Sequence, residues 1–223
     1  MSRPGMIRPE AVIFDCDGVL IDSERVANRI LAEDLRAVGL SLTGEEAHRR
    51  FTGTSLSQIE RVMLAETGRA MPDGWIDRHH QALYHAFETE LVAIPGVVAV
   101  LDTLDTIGMP WGVASQSAPE YLEHTLSRVG IWHRALGRVA SAKQVSNPKP
   151  APDVYLLACA RVGCDPARSV VIEDSPTGVQ AGVAAGAHVI GYAADRPAED
   201  LLAAGAAATF TDMTALPALL GLS

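Results

Sequence analysis

The chain has 223 residues, 48% of them hydrophobic, which is enough for one large α/β domain or for a core carrying a smaller companion. A formal net charge of -9 at pH 7, with no basic run to offset it, argues against nucleic acid or an anionic membrane surface as the main partner. Three cysteines, Cys16, Cys159 and Cys164, are odd in number and lack zinc-type spacing, so a reduced, cytoplasmic protein without a disulfide framework is expected.

Residues 1–5 are too short and polar for a signal peptide, and no stretch has the length needed to span a bilayer. The first predicted element is the run Ala11-Val12-Ile13-Phe14, a strand buried on both faces that ends in Asp15-Cys16-Asp17-Gly18. Ligands of open parallel α/β sheets bind at the carboxyl ends of strands. The two acids therefore stand either where chemistry is done or in an ordinary Asp-Gly turn. Cys16 between them reads as apolar filler. A helix follows over residues 22–38, capped by Asp22 or Ser23 and closed by Gly39, with Val26, Ile30, Leu31, Leu35 and Val38 on one face. Helical character continues through a start at 43–46, a periodic stretch at 57–66 and a long helix at 75–90. No strand signal interrupts it. A separate helical domain over residues 22–93 is expected, inserted into a core made of residues 1–21 and 94–223, with Ile94-Pro95-Gly96 as the re-entry point.

From there helix and strand alternate. Helices are predicted at 97–107, 119–129, 153–162 and 176–185, and strands at 110–114, 138–141, 169–172 and 188–191. The tail from Asp195 gives a helix, a weak strand at 209–210 and a last helical turn. The fold class is α/β, a doubly wound Rossmann-like parallel sheet with an inserted α-helical domain.

Four strand ends or adjoining loops carry polar groups: Asp15 and Asp17, Ser115 with Gln116, Lys149, and Glu173 with Asp174. Several carboxylates on one edge call for a cation, and an all-oxygen site with few protein ligands suits Mg²⁺, which often binds a substrate phosphate as well. A lysine would steady a carboxylate nucleophile and an incoming phosphoryl group. A serine hydroxyl and the backbone N–H groups after it can bond phosphate oxygens.

In their order, these groups resemble the four motifs of the haloacid dehalogenase superfamily: Asp15-Cys16-Asp17-Gly18-Val19-Leu20, Ser115 closing an apolar strand, Lys149-Pro150, and Glu173-Asp174-Ser175. The helical insert resembles, in length and position, the small cap of the subgroup with phosphoglycolate phosphatases, sugar-phosphate phosphatases and β-phosphoglucomutases. The resemblance implies that Asp15 is a nucleophile forming an aspartyl-phosphate and that Asp17 is the general acid, then the general base. It further implies that Asp15, the Asp17 carbonyl and Asp174 hold Mg²⁺, with Glu173 as a direct or water-mediated ligand. Ser115, Gln116 and Lys149 would bind the phosphoryl oxygens. A small phosphorylated metabolite is the implied substrate, a sugar or sugar-acid phosphate or a phosphoglycolate-like compound, with no stable protein partner indicated.

Dehalogenases of the superfamily lack the second aspartate, so Asp17 points away from them. A β-phosphoglucomutase-like activity is the nearest alternative, but this chain has Ala27, Leu56 and Ala118 where the mutase has a histidine, an arginine and a lysine. A phosphate-responsive binding protein would need no Asp17. In the insert, Arg50, Gly53 and Thr54 either reach the substrate or belong to a solvated helix end, with arginines at its negative pole. His79, His80 and His85 lack matched ligands and are expected at the surface or partly packed. Trp75, Leu83, Tyr84 and Phe87 are expected in the insert's own core.

Overall fold

The apolar runs pair into one six-stranded sheet in a computed structural model, which describes residues 9–51 and 54–222. The strands are β1 (Ala11–Phe14), β2 (Trp111–Ser115), β3 (Val139–Ser141), β4 (Ser169–Glu173), β5 (His188–Tyr192) and β6 (Ala208–Phe210). Their spatial order is β3-β2-β1-β4-β5-β6, with every neighbouring pair parallel. All residues of β1, β2 and β4 are buried, as expected of strands covered on both faces.

Residues up to Ile21 and from Ala93 onward form one compact unit, and Asp22–Val92 forms another. Ala93 pairs with Ile21 in an antiparallel bridge and so belongs with the sheet. The second unit holds four helices, α1 (Ser23–Ala37), α2 (Gly44–Phe51), α3 (Leu56–Thr67) and α4 (Trp75–Glu90), around a core that includes Leu35, Ala47, Phe51, Ile59, Met63 and Trp75. Local sequence sets their ends. Asp22 caps α1, Ser55 and Gln58 form a reciprocal capping box on α3, and Gly68 closes α3 in the left-handed conformation. Of the expected core residues, Trp75 and Phe87 are buried and Leu83 is half-buried, whereas Tyr84 is 44% exposed. Of the three histidines, His80 and His85 are exposed, while His79 is buried with Nδ1 2.7 Å from Asp34 Oδ2.

In the sheet unit, α5 (Val97–Thr106) precedes β2, and α6 (Pro119–Arg128) and the single turn α7 (Trp132–Ala135) lead to β3. The crossovers continue through α8 (Asp153–Val162), α9 (Pro176–Ala184) and α10 (Ala198–Ala203), with α11 (Leu216–Leu219) at the end. Tyr155, Ala158, Val179, Ala181 and Leu201 from α8, α9 and α10 pack with Ile13, Ala114, Val171 and Val189 of the sheet. From β1 the chain runs outward to β2 and β3, then returns past β1 to β4. The topological switch therefore lies between β1 and β4, the place where such sheets open a crevice at their carboxyl ends. Among the described residues no helix is long and apolar enough to cross a membrane.

Candidate active site

The site grows from the last ladder positions of β1 and β4. The Asp15 N–H donates to the Ile172 carbonyl at 2.9 Å, so the backbone of Asp15 is still held by the sheet as its side chain leaves the carboxyl edge. The Cys16 carbonyl then accepts from Leu20 N–H at 2.8 Å and Ile21 N–H at 3.1 Å, closing a tight turn. Gly18 has φ +76° there, and a Cβ on it would stand 2.2 Å from Asp174 Oδ2. Only glycine allows both the left-handed bend and that close approach of the β1 turn to the acid following β4.

Lys149 joins the two strand ends. It lies in the loop after β3, is only 7% exposed, and places Nζ 2.6 Å from Asp15 Oδ1, 2.7 Å from Glu173 Oε1 and 3.3 Å from the Ala114 carbonyl. Tyr155 of α8 completes its cage: the hydroxyl donates to Glu173 Oε1 at 3.0 Å, and the ring centroid is 4.7 Å from Nζ. The other oxygen of Glu173 accepts from the Ser175 N–H at 2.7 Å and the Ser175 hydroxyl at 2.9 Å. Glu173 is fully buried, and at Gly178 a Cβ would come 1.5 Å from its Oε1.

Both Glu173 oxygens are engaged by protein donors, which makes it a buried counter-charge of Lys149 and an anchor of the β4–α9 turn. Asp15, Glu173 and Asp174 nevertheless each bring one oxygen within 4.8 Å of the others. An all-oxygen set of converging carboxylates fits a hard divalent cation.

Burial raises the Asp15 carboxyl to about 7; Lys149 opposes the rise, and Glu173 and Asp17 add to it. For Lys149, burial favours the neutral amine, but Asp15 and Glu173 outweigh it and hold the pKa well above the ordinary lysine value. The Cys16 thiol is pushed well up by burial, then by Asp17 and Asp15, consistent with a packing role.

Ser115 is buried at the end of β2, and its Oγ accepts from the Ser117 N–H at 3.0 Å. The exposed Gln116 turns its side chain onto the Lys149 peptide: Oε1 accepts from the Lys149 N–H at 3.2 Å, and Nε2 faces the Lys149 carbonyl at 3.5 Å. The Gln116 side chain thus braces the lysine loop. Asp17 is half-buried, with Oδ1 2.7 Å from the Tyr121 hydroxyl and Oδ2 3.1 Å from Ser117 Oγ.

Sequence reasoning missed Tyr121 and Tyr155. Each lies in the first turn of a helix that directly follows one of the polar loops, which is the only signal that pointed to them. Arg50 is engaged within the helical unit. Its guanidinium donates to both carboxylate oxygens of Glu66 and lies 5.2 Å from the Phe51 ring centroid, while Arg49 pairs with Glu45 at 2.6 Å. These are ion pairs at the end of α2. The half-buried Thr54 donates its N–H to the Phe51 carbonyl at 2.9 Å, and Gly53 lies outside the described residues.

Residues 12–192 match the family described as haloacid dehalogenase-like hydrolase. Over 215 residues the chain is 29% identical to 6-phosphogluconate phosphatase of Escherichia coli (strain K12), covering 96% of each protein. It is 33% identical over 196 residues to hexitol phosphatase A of the same organism, covering 86% of each. Among solved structures, a HAD family hydrolase from Deinococcus radiodurans R1 with bound phosphate and sodium superposes with a TM-score of 0.88 at 31% identity, covering 97% of this chain and 98% of that one.

Proposed function

Because the chain belongs to the haloacid dehalogenase-like hydrolase family, we propose that it is a Mg²⁺-dependent phosphatase, releasing phosphate from a small phosphorylated metabolite through an aspartyl-phosphate on Asp15. The observation that carries this reading is Asp15 itself, a carboxylate at the switch-point edge of the sheet, paired at 2.6 Å with a buried lysine and lying beside Asp174. An Asp15 oxygen attacks phosphorus, the ester P–O bond breaks, and Asp17 gives its proton to the departing oxygen. Water then attacks the phosphorus of the acyl phosphate, Asp17 takes the water's proton, and the Asp15 carboxylate is released. Lys149, Ser115 and the Gln116 backbone N–H bind the phosphoryl oxygens. Asp15 and Asp174, with the Asp17 carbonyl, would hold Mg²⁺, whose charge, when bound, offsets that of the phosphoryl oxygens.

Asp17 favours phosphate-ester hydrolysis over dehalogenation, since an alkoxide needs a proton on leaving and a halide does not. Ala27, Leu56 and Ala118 speak against the phosphosugar mutase alternative, because they supply no group to hold a second phosphate. The named activities of the two Escherichia coli relatives point to a phosphorylated sugar acid or sugar alcohol as substrate class.

Phosphate release from a panel of sugar, sugar-acid and hexitol monophosphates tests the reading. EDTA should silence activity and Mg²⁺ restore it; no release from any phosphate monoester at saturating Mg²⁺ would refute the assignment. The raised Asp15 pKa adds a sign. A proton on Asp15 competes with the metal, so the half-activating Mg²⁺ concentration should climb below pH 7, approaching about tenfold per pH unit, and level off above about pH 8.

A further inference from the structure

Two hydroxyl groups converge on Asp17 from the β2–α6 connection. Tyr121 Oη lies 2.7 Å from Oδ1 and Ser117 Oγ 3.1 Å from Oδ2, one donor for each carboxylate oxygen. An aspartate side chain has two free torsions, and a donor on each oxygen fixes both the direction of the carboxyl group and its plane. The bond from Tyr121 is the shorter of the two.

The donors are themselves held. Tyr121 is the third residue of α6, a helix opened by Pro119 and anchored through buried Leu122 and Leu126. The fully buried Thr125 donates its hydroxyl to the Tyr121 carbonyl at 2.8 Å. Ser117 donates its N–H to Ser115 Oγ at 3.0 Å, and its carbonyl accepts from Ser141 Oγ at 2.6 Å. One connected set of hydrogen bonds thus runs from Ser115 at the end of β2 through Ser117 to Asp17.

We propose that Tyr121, assisted by Ser117, is the positioning residue that aims the Asp17 carboxyl for proton transfer to the leaving oxygen. This inference rests on the phosphatase reading above. General acid catalysis demands hydrogen-bond reach to the departing oxygen, so a loosened Asp17 slows cleavage only where the leaving group needs a proton. A purely structural tyrosine would affect all esters alike.

The test compares kcat/KM, which includes steps only through the first P–O cleavage, for the best sugar phosphate of the panel and for p-nitrophenyl phosphate, whose phenolate departs without a proton. Tyr121→Phe should lower the ratio of alkyl to aryl kcat/KM about tenfold or more. Ser117→Ala should shift the same ratio in the same direction by a smaller factor, and it keeps the proposal testable if Tyr121→Phe folds poorly. Equal losses on both esters, or an unchanged ratio in the two variants, would overturn the role. Wild-type protein inactive on both esters would instead overturn the phosphatase reading, and this inference with it.

Discussion

Asp15→Asn removes turnover, with phosphate release falling by roughly 10⁴-fold or more while the fold persists. The substitution keeps the shape of the side chain and an oxygen for Lys149 Nζ, so the cage around the lysine stays filled. What disappears is the nucleophile, because an amide oxygen cannot form and release the acyl phosphate at a comparable rate. Folding should not suffer. Burial raises the Asp15 pKa to about 7, above its value in the unfolded chain, so in the metal-free protein this group contributes stability at low pH that is lost as pH rises through 7. A neutral asparagine carries no such loss. Thermal melts of the metal-free proteins at pH 8 should place the variant at or above the wild type, and turnover within tenfold of wild type would contradict the nucleophile assignment.

Lys149→Met produces the largest loss of stability expected from a single side chain at this site. Methionine fills the aliphatic stem, but the buried Glu173 and Asp15 then face each other without the ammonium that lies 2.7 and 2.6 Å from them. Breaking a buried ion pair from one side costs about 3–5 kcal/mol, a large part of the stability of an ordinary domain. Protonating a carboxylate relieves the repulsion, so the metal-free variant should gain stability relative to wild type as pH falls from 8 towards 5. Urea unfolding at those two pH values measures both effects. Activity should fall by about 10²–10³-fold or more as well, since the cation beside the attacking carboxylate is lost. A variant within about 1 kcal/mol of wild type at pH 8 would show that Lys149 is not the hub of the buried charges.

Much of the site was legible because a parallel sheet collects its polar residues at one edge. Asp15, Ser115 and Asp174 each close an apolar run, and strand periodicity alone brings such ends together. Lys149, in a loop after a weak strand, was legible through its motif more than through any pattern of its own. Glu173 has contacts that the sequence does not show: beside Asp174 it looks like a second ligand, and only the fold reveals Lys149, Tyr155 and Ser175 at its two oxygens. The trace it leaves is Gly178, five residues on, where no side chain fits. The ion pair of Arg50 was not legible because its partner, Glu66, lies on another helix, sixteen residues away. Tyr121 and Tyr155 sit among the apolar positions of their helices, where a hydroxyl pointing back to a strand end has no periodic signature.

Where the phosphoryl group goes during turnover decides the mechanism. Asp17→Asn should still accept phosphate from p-nitrophenyl phosphate, whose leaving group needs no acid, but it lacks the base that activates water for the second step. Incubated with that ester and Mg²⁺, quenched in acid and digested, it is predicted to carry close to one phosphoryl group per chain, mapped by mass spectrometry to Asp15. Recovery of the group on Ser115, or turnover with no covalent phosphate at Asp15, would contradict the aspartyl-phosphate mechanism.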